Sequence, residues 1–348
     1  MINNNAMLMP AFEQNNVPVV IASNNLYAPY AGVFIQSLLD HAGEKNNYDI
    51  IIFQRDISEE NKRLLKKLAA GYANVSIRFY DPTPVLESFR FTHDDDEHLF
   101  PIEVYYRIIA PYLLDCTGRI ITADIDTALR TDIARLMDED LEGCSVGGVC
   151  SVDLAGSYVC DYAMFKRDVR LRNYIRDVVK FEVDDLKNYV NAGLLLFDRD
   201  QYVRELDLET ILSTAQQKRY IYPEQDTLNV LMKGKIKLID SAWNAIVPGN
   251  QRSAKVLAAG SKGCGGIWER AFEEPYLLHW GGKPKPWVCP DVPYGGEWWQ
   301  IALRTPFVGH IIARMTDEQA KRRAYYRKRY GREDVEIWSP SPKGIDRT

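Results

Sequence analysis

The chain has 348 residues, of which 46% are hydrophobic and 26% charged, so a globular protein with a sizeable core is expected. Its formal net charge of −5 gives no support to a nucleic-acid-binding protein. No apolar run approaches the ~20 residues that a membrane-spanning helix requires, and the N-terminus lacks the pattern of a signal peptide. The six cysteines show no Cys-x-x-Cys pair. This argues against a zinc ribbon and fits reduced thiols in a cytoplasmic protein, with disulfides in a secreted protein as the alternative.

Apolar strands alternate with amphipathic segments through the first half of the chain. Strands are predicted at 17–22, 49–53, 75–80, 120–123, 145–149 and 192–197. Helices are predicted at 31–39, after the cap Ser58, and at 105–114. This alternation predicts a mostly parallel sheet with helices on both faces, an α/β fold.

The second half is less regular. A helix is predicted at 224–232 and a strand at 236–239, and the glycine-rich residues 260–266 predict a mobile or ligand-near loop. Thr305 with Pro306 predicts one helix start, and Thr316 with Gln319 predicts another as a capping box, running to about Gly331. We predict a catalytic domain over residues 17–290 and a helical, basic C-terminal extension over 291–348.

Two carboxylates, Asp124 and Asp126, follow the predicted strand 120–123. Because side chains alternate along an extended chain, residues two apart lie on the same face. Paired oxygen donors suit a divalent cation such as Mn²⁺ or Mg²⁺, and open α/β sheets bind ligands at the carboxyl ends of their strands. A solvated turn is the alternative for an isolated Asp-x-Asp, so the prediction of a metal depends on a second segment.

That second segment runs from His279 to Trp287 and contains Gly281, Gly282 and Lys285. It supplies an imidazole, a cation, and glycines that allow the backbone to approach a phosphate closely. With the Asp pair it predicts a metal–diphosphate site. The alternatives are a packed, hydrogen-bonded His279 and a surface turn with a packed indole.

Further motifs occur in order along the chain: Ile21-Ala22-Ser23-Asn24-Asn25, Tyr106-Arg107, Asn191-Ala192-Gly193 and Glu224-Gln225-Asp226. With the two segments above, they resemble glycosyltransferase family 8, the retaining bacterial lipopolysaccharide galactosyl- and glucosyltransferases related to glycogenin. The resemblance covers roughly residues 17–287. It implies an A-type glycosyltransferase fold, a single nucleotide-binding α/β sandwich, with a UDP-sugar as donor and usually Mn²⁺ as metal.

The resemblance also implies roles for individual residues. Asp124, Asp126 and His279 would hold the metal, and Lys285 would meet the charge on the β-phosphate. The residues implied to bind donor and metal together are Ala22, Asn24, Arg107, Asp124, Ile125, Asn191, Ala192, Gly282 and Lys285. Asp153 and Asn191 would bind the donor sugar's hydroxyls. A salt bridge that locks a helix is the alternative for Arg107, and a solvated loop is the alternative for Asp153.

Three further positions bear on mechanism and donor. Gln225 would face the anomeric carbon, and because an amide is a poor nucleophile, retention is expected by same-face substitution. Asp226 would either orient the acceptor or support the start of its helix. Asn24 stands where the family's lipopolysaccharide enzymes often have Asp, and its amide oxygen is still able to accept the uracil N–H.

The expected function is transfer of galactose or glucose from a UDP-sugar to a cell-surface glycan or lipid-linked saccharide. The rivals are a non-catalytic nucleotide-sugar-binding protein and a nucleotidyltransferase.

The tail interleaves basic residues with tyrosines, namely Lys321, Arg322, Arg323, Arg327, Lys328, Arg329 and Arg332 with Tyr325, Tyr326 and Tyr330. We expect it to bind anionic lipid at the inner membrane face, with a solvated helix packed on the catalytic domain as the alternative.

Overall fold

The computed structural model describes residues 7–86, 102–116, 118–161, 170–217 and 220–330, without the side chains of residues 217 and 322–330. The described strands are β1 (Asn16–Ala22), β2 (Asn47–Phe53), β3 (Val75–Tyr80), β4 (Arg119–Ala123), β5 (Thr127–Leu129), β6 (Val146–Cys150), β7 (Val190–Asp198), β8 (Ile236–Leu238), β9 (Ala245–Ile246) and β10 (Leu277–His279). The described α-helices are α1 (Ala28–Leu39), α2 (Glu59–Leu68), α3 (Thr83–Leu86), α4 (Ala110–Leu113), α5 (Val152–Val159), α6 (Leu171–Tyr174), α7 (Arg199–Glu205), α8 (Leu208–Gln217), α9 (Pro223–Leu231), α10 (Gln251–Gly263), α11 (Ile267–Glu273), α12 (Gly295–Ala302) and α13 (Val308–Tyr330).

The central sheet contains seven of the described strands, in the order β3-β2-β1-β4-β7-β6-β8. β7 runs antiparallel to β4 and β6, whereas the other neighbours in this sheet pair in parallel. The prediction of a mostly parallel sheet is therefore confirmed. Because the crossovers return the parallel strands in one direction, their carboxyl ends meet along one edge, where ligands bind in open α/β sheets.

Both faces of this sheet are covered, as the strand composition predicts. In β1, Val19 and Ile21 belong to the core that contains α1 and α12, whereas Val20 belongs to the core on the opposite face. In β4, Ile121 and Ile120 divide in the same way. Successive side chains of one strand thus point alternately into two cores, so nearly every residue of the strand is apolar.

Three local predictions are wrong. The helix predicted at 105–114 is a 3₁₀ turn, Ile102–Tyr106, followed by the short α4. Pro111 has no backbone N–H to bond the fourth residue before it, so it is tolerated in the first turn of α4 and not inside a longer helix. The capping box at Thr316 starts no helix: α13 runs through it, and the Thr316 hydroxyl donates to the Ile312 carbonyl at 3.0 Å. The Ser58 cap is confirmed, since its side chain accepts from the Asn61 N–H at 3.3 Å.

The third error concerns residues 260–263 of the loop predicted at 260–266, whereas residues 264–266 do form a turn, with Gly265 and Gly266 at positive φ. Gly260 lies inside α10, and a Cβ there would overlap the Val152 carbonyl of α5. On α5, Gly156 is constrained in the same way by Val256. These glycines allow two helices to cross with their backbones in contact, which is a packing role rather than a loop role.

A second, smaller sheet connects the middle of the chain to its later part. Its order is β5-β10-β9, with β10 antiparallel to β5 and parallel to β9. Beyond it, Trp298 on α12 and Ile311 on α13 are buried in the same core as β1 and α1. The domain boundary after residue 290 stays a prediction. None of the described helices has the length and apolar character needed to cross a membrane.

Candidate active site

The Asp pair lies in the connection between β4 and β5. The Asp124 N–H donates to the Gly193 carbonyl oxygen on β7 at 2.9 Å, and the Asp126 carbonyl oxygen accepts from the Trp280 N–H at 3.0 Å. Thr127 Oγ1 donates to the Asp124 carbonyl oxygen at 2.6 Å. These contacts fix the backbone of the connection, so both carboxylates are held at the carboxyl end of the central sheet.

His279 ends β10 and pairs with Thr127 across the antiparallel register with β5. This register brings its ring beside the Asp pair. His279 Nε2 lies 3.4 Å from Asp126 Oδ1 and 3.8 Å from Asp124 Oδ2. One ligand atom from each of the three residues lies within 4.8 Å of the other two. His279, far along the chain from the Asp pair, is thus its neighbour in space.

The chemistry of this cluster fits a divalent metal. Two carboxylates and one imidazole are a donor set that suits Mn²⁺. His279 Nδ1 lies 2.8 Å from Asn244 Oδ1, so Nε2 is the ring nitrogen that remains for a metal. His279 is also packed and hydrogen-bonded, so the alternative predicted for it describes the same residue. Its role as a metal ligand stays a prediction.

Lys285 brings a positive charge to this cluster. Its ammonium contacts the Asp126 carboxylate and donates to the Trp280 carbonyl oxygen. Burial by itself would raise the pKa of Asp126, but Lys285 and His279 together hold that pKa below its usual range. Both groups therefore favour the ionised carboxylate, which is the form that would bind a metal. The predicted contact of Lys285 with a β-phosphate stays a prediction.

Arg107 connects the Asp pair to α9. Its guanidinium contacts the Asp124 carboxylate and lies 2.8 Å from Glu224 Oε1. Burial raises the pKa of Glu224, and the Arg107 charge opposes this. Arg107 is 3% exposed, and its Nε has no hydrogen-bond partner within the described residues. A buried N–H without a partner costs about 1–3 kcal/mol, so this donor marks a place where a polar ligand group would be favourable.

Asn191 and Gln225 lie next to the cluster with their amide oxygens engaged. Asn191 Oδ1 accepts from the Gly193 N–H at 2.8 Å and from Asn244 Nδ2 at 2.9 Å, which leaves the Asn191 NH₂ for the predicted sugar contact. Gln225 Oε1 accepts from the Ala192 N–H at 3.0 Å. Ala192 is therefore placed by its backbone, and both amides are held rigidly.

Two further carboxylates lie around the start of α9. Asp153, in the first turn of α5, accepts from the Ser151 hydroxyl at 2.6 Å. Burial is the main cause of the raised pKa of Tyr222, and the negative charge of Asp153 is the next. Asp153 therefore lies near Tyr222, the residue before α9. Asp226 is fully buried and accepts from the Tyr174 and Tyr189 hydroxyls, each at 2.5 Å. It also accepts from the Tyr222 N–H at 2.8 Å and therefore supports the helix start.

The predicted nucleotide end of the site begins where β1 ends. Ala22 and Asn24 are partly exposed there, and Asn24 Oδ1 accepts from the Tyr27 N–H at 3.1 Å. The Asn24 oxygen keeps a second lone pair for the predicted uracil contact. Tyr27, which sequence analysis did not single out, exposes 41% of its surface beside this turn.

The His279–Trp287 segment is anchored to the first helix. The Trp287 ring stacks on Tyr30 of α1, with centroids 4.1 Å apart and an angle of 16° between the planes. Trp287 is buried, as the packed indole of the alternative also requires, so that alternative stays open. Ile125 packs partly buried against the same core. At Gly282 a Cβ would meet nothing within 4 Å, so the protein itself does not require glycine there.

Two residues of the cluster were missed by sequence analysis in their actual roles. Asn244 hydrogen-bonds both His279 and Asn191, and a Cβ on Gly193 would lie 2.5 Å from His279 Nδ1. Gly281 bounds the same ring, since a Cβ there would lie 3.1 Å from Nε2. Two glycines thus make the space that the imidazole fills. A single Asn within an otherwise apolar run, Ala242-Trp243-Asn244-Ala245, was the signal for the first.

Comparison with known proteins decides the family. Residues 18–289 match the family described as Glycosyl transferase family 8. The chain belongs to this family. Membership confirms the resemblance seen in the sequence, and it places the Asp pair, Arg107, Gln225 and His279 inside the matched region.

Curated members of family 8 are similar to this chain at low identity. A lipopolysaccharide 1,2-glucosyltransferase of Escherichia coli is 26% identical over 207 residues, which are 58% of this chain and 53% of that protein. A lipopolysaccharide 1,3-galactosyltransferase of Salmonella typhimurium is 22% identical over 313 residues, 85% of this chain and 83% of that protein. A Haemophilus influenzae relative is matched over 62% of its length. The chain therefore spans between half and two thirds of some of these relatives.

Solved structures show the same fold. The WbbM bifunctional glycosyltransferase aligns with a TM-score of 0.75 at 24% identity, over 90% of this chain and 54% of that chain. The galactosyltransferase LgtC, in complex with donor and acceptor sugar analogues, aligns with a TM-score of 0.63 at 19% identity, over 83% of this chain and 96% of that chain. The predicted A-type glycosyltransferase fold is confirmed.

Proposed function

We propose that this chain is a retaining, metal-dependent glycosyltransferase that moves galactose or glucose from a UDP-sugar to a glycan or lipid-linked saccharide acceptor. The observation that carries the proposal is the convergence of Asp124, Asp126 and His279 at the carboxyl edge of a family 8 fold. The choice of hexose and of acceptor is supported by the lipopolysaccharide glucosyl- and galactosyltransferases among its relatives.

In this proposal the protein stabilises a diphosphate as it leaves. Mn²⁺ or Mg²⁺, when bound by Asp124, Asp126 and His279, supplies positive charge to that group. Lys285 supplies a second charge from the same side, because its ammonium lies against Asp126. Arg107 supplies a third beside Asp124, and its unpartnered Nε is the donor we assign to the diphosphate or donor sugar. Asn191, through its NH₂, and Asp153 bind the sugar hydroxyls.

The route by which configuration is retained follows from the chemistry of Gln225. Its amide oxygen already accepts from the Ala192 N–H, and an amide is a poor nucleophile. A covalent glycosyl-enzyme is therefore disfavoured. Instead, the bond between the anomeric carbon and the diphosphate oxygen breaks, and the oxygen keeps the electron pair. The acceptor hydroxyl attacks from the same face and passes its proton to the departing phosphate.

The test is release of UDP. The full chain is incubated with UDP-galactose or UDP-glucose, Mn²⁺ and either water or a lipopolysaccharide-type saccharide, and free UDP is measured. Asp124→Ala, Asp126→Ala and His279→Ala should each abolish metal-stimulated release. The exposed Asp291, changed to Ala, is the matched control and should keep it. Mn²⁺-stimulated turnover at the unsubstituted level in any of the three would overturn the metal assignment.

The same assay separates the rival functions. A non-catalytic nucleotide-sugar-binding protein would bind UDP-sugar and release no UDP under any condition. A nucleotidyltransferase would form UDP-sugar from UTP and a sugar phosphate, with pyrophosphate as the second product. A nucleotidyltransferase leaves the segment that follows His279 without a use. The metal ligands, Lys285 and Gln225, present together, argue against a binding protein that transfers nothing.

The proposal includes docking on anionic lipid at the inner face of the membrane, through the basic tail. Helix α13 continues as far as Tyr330, and the tail's side chains beyond Lys321 lie outside the described residues. Truncation after Met315 keeps the core residues Phe307 and Ile311. The truncated chain should still release UDP but should no longer sediment with anionic vesicles at low salt. Equal vesicle binding by both chains, or by neither, would contradict this docking.

A further inference from the structure

Three buried side chains form a hydrogen-bonded row behind the metal-ligand cluster. The row begins at the Gly193 N–H, which lies 2.8 Å from Asn191 Oδ1. Asn244 Nδ2 lies 2.9 Å from the same oxygen, and Asn244 Oδ1 lies 2.8 Å from His279 Nδ1. Asn191 is 9% exposed, and Asn244 and His279 are each 3% exposed. Water therefore has little access to these bonds.

The polarity of this row is determined by its first member. A backbone N–H only donates, so the Asn191 atom beside Gly193 is the amide oxygen. The Asn244 atom that contacts this oxygen must donate and is therefore its NH₂. The remaining Asn244 atom is an oxygen, which only accepts, so His279 Nδ1 carries the proton. In the neutral ring, Nε2 then has a lone pair and no hydrogen.

The lone pair points at two negative groups. Nε2 lies 3.4 Å from Asp126 Oδ1 and 3.8 Å from Asp124 Oδ2. A lone pair that faces two carboxylates is unfavourable unless a cation lies among them. The hydrogen-bond row therefore favours the tautomer that repels the carboxylates and binds a metal, over the one that would donate Nε2–H to Asp126.

We infer that Asn244 is a positioning residue that sets the metal-binding tautomer of His279. This inference rests on the proposed metal-dependent function and adds a residue to it. Asn244 touches neither metal nor substrate in this role: it acts through the ring. Its amide oxygen accepts from Nδ1–H and sets the tautomer, whereas its NH₂ donates to Asn191 Oδ1 and anchors the side chain.

The backbone around Asn244 holds this amide in place. Asn244 ends the 3₁₀ turn Ser241–Asn244, which the Asp240 side chain caps by accepting from the Ala242 N–H at 2.9 Å. The next residues form β9, which pairs in parallel with β10 and so with the strand that carries His279. Asn244, which accepts from the ring, thus directly precedes the strand next to that of His279, and side-chain motion is restricted at both residues.

The experiment measures binding of Mn²⁺ alone to the full chain by isothermal titration calorimetry. Asn244→Leu removes both hydrogen bonds and should weaken Mn²⁺ binding 10- to 100-fold, the usual loss when a group that orients a metal ligand is removed. Asn244→Asp keeps an acceptor for Nδ1–H and should bind within about tenfold of the unsubstituted chain. Asn74→Leu is the control, because it also removes an amide with two hydrogen bonds, here donated to the Gly43 and Asn46 carbonyl oxygens and not to any residue of the metal-ligand cluster.

A second measurement reads the tautomer directly. The chain has five histidines, so the ¹⁵N signals of His279 are identified by their loss in His279→Gln. The inference requires a protonated Nδ1 and a bare Nε2 in the unsubstituted chain, and a change of this pattern in Asn244→Leu. A protonated Nε2 with a bare Nδ1 in the unsubstituted chain would overturn it, even if Asn244→Leu fails to fold.

The outcomes separate this inference from the proposed function. Equal Mn²⁺ binding by the unsubstituted chain and a folded Asn244→Leu variant overturns the positioning role and leaves the proposed function standing. Weakened binding in the variant supports the positioning role whether or not UDP is released. Tight Mn²⁺ binding without UDP release in the unsubstituted chain overturns the proposed function alone. Absence of Mn²⁺ binding, with and without UDP, overturns both.

Discussion

Replacing Gly193 by alanine should move His279 out of the metal-ligand cluster. A Cβ at this position would lie 2.5 Å from His279 Nδ1 and 2.8 Å from Asn191 Oδ1. Non-bonded heavy atoms settle at about 3.5–4.0 Å, so the ring must retreat by roughly 1 Å. Metal–ligand distances tolerate only about ±0.2 Å, so the imidazole would be lost as a ligand.

The magnitude follows from this displacement. Loss of the oriented imidazole should weaken Mn²⁺ binding at least 10- to 100-fold, which is about 1.4–2.8 kcal/mol. Overpacking against a buried ring should also lower the free energy of unfolding by about 1–3 kcal/mol. Calorimetric titration with Mn²⁺ and thermal denaturation measure the two effects.

The matched control is Gly296→Ala on α12, where an added Cβ would meet nothing within 4 Å. It should change neither Mn²⁺ affinity nor thermal stability by more than a small amount. If Gly193→Ala bound Mn²⁺ as tightly as the unsubstituted chain and melted at the same temperature, the close packing of Gly193 on His279 would not restrict the ligand, and the reasoning would be refuted.

Three other substitutions test separate parts of the structure. Lys285→Ala should lower kcat on the order of 10²–10³-fold and weaken UDP binding less, whereas Lys283→Ala, at an exposed position, should change neither. Steady-state kinetics measure both effects, and a raised KM at unchanged kcat would contradict the prediction. Gly260→Ala should lower the melting temperature, because the added Cβ would overlap α5. At Gly263, in the same helix, an added Cβ would meet nothing, so Gly263→Ala should melt like the unsubstituted chain. Equal melting temperatures for the two variants would refute the close helix crossing. Burial raises the pKa of Asp226 from 3.8 to about 6, so the folded state binds a proton that the unfolded state lacks between these values. Its contribution to the free energy of unfolding therefore falls as pH rises through this window, by about 3 kcal/mol, and Asp226→Asn should remove that slope in denaturant titrations at several pH values.

The sequence supports the prediction of features that depend on near neighbours. Strands rich in β-branched residues were found because burial on both faces leaves continuous apolar runs, and the Ser58 cap because its partner is three residues away. The carboxylate pair was found because a two-residue spacing has a defined meaning in extended chain. His279 was singled out by the glycines and the lysine that follow it.

Features that depend on distant partners were missed. Gly260 has the same local signature whether it ends a helix or allows one to cross another, and only the contact with Val152 decides. Asn244 has only a weak local signature, a polar residue in an apolar run, because its partners, Asn191 and His279, are brought to it by the sheets. At Thr316 the local signal was misleading, since a capping pattern gains nothing once the preceding turn is already helical.

The pairing of β5 with β10 also determines when the site is completed during synthesis. Asp124 and Asp126 leave the ribosome with the first half of the chain, whereas His279 emerges only after β6, β7 and β8 have been made. Trp287 follows it and stacks on Tyr30, which belongs to the first helix to emerge. A nascent chain that stops short of β10 carries both carboxylates and no third ligand. Under the proposed function, a metal that needs all three ligands would therefore bind only after nearly the whole sheet has been made.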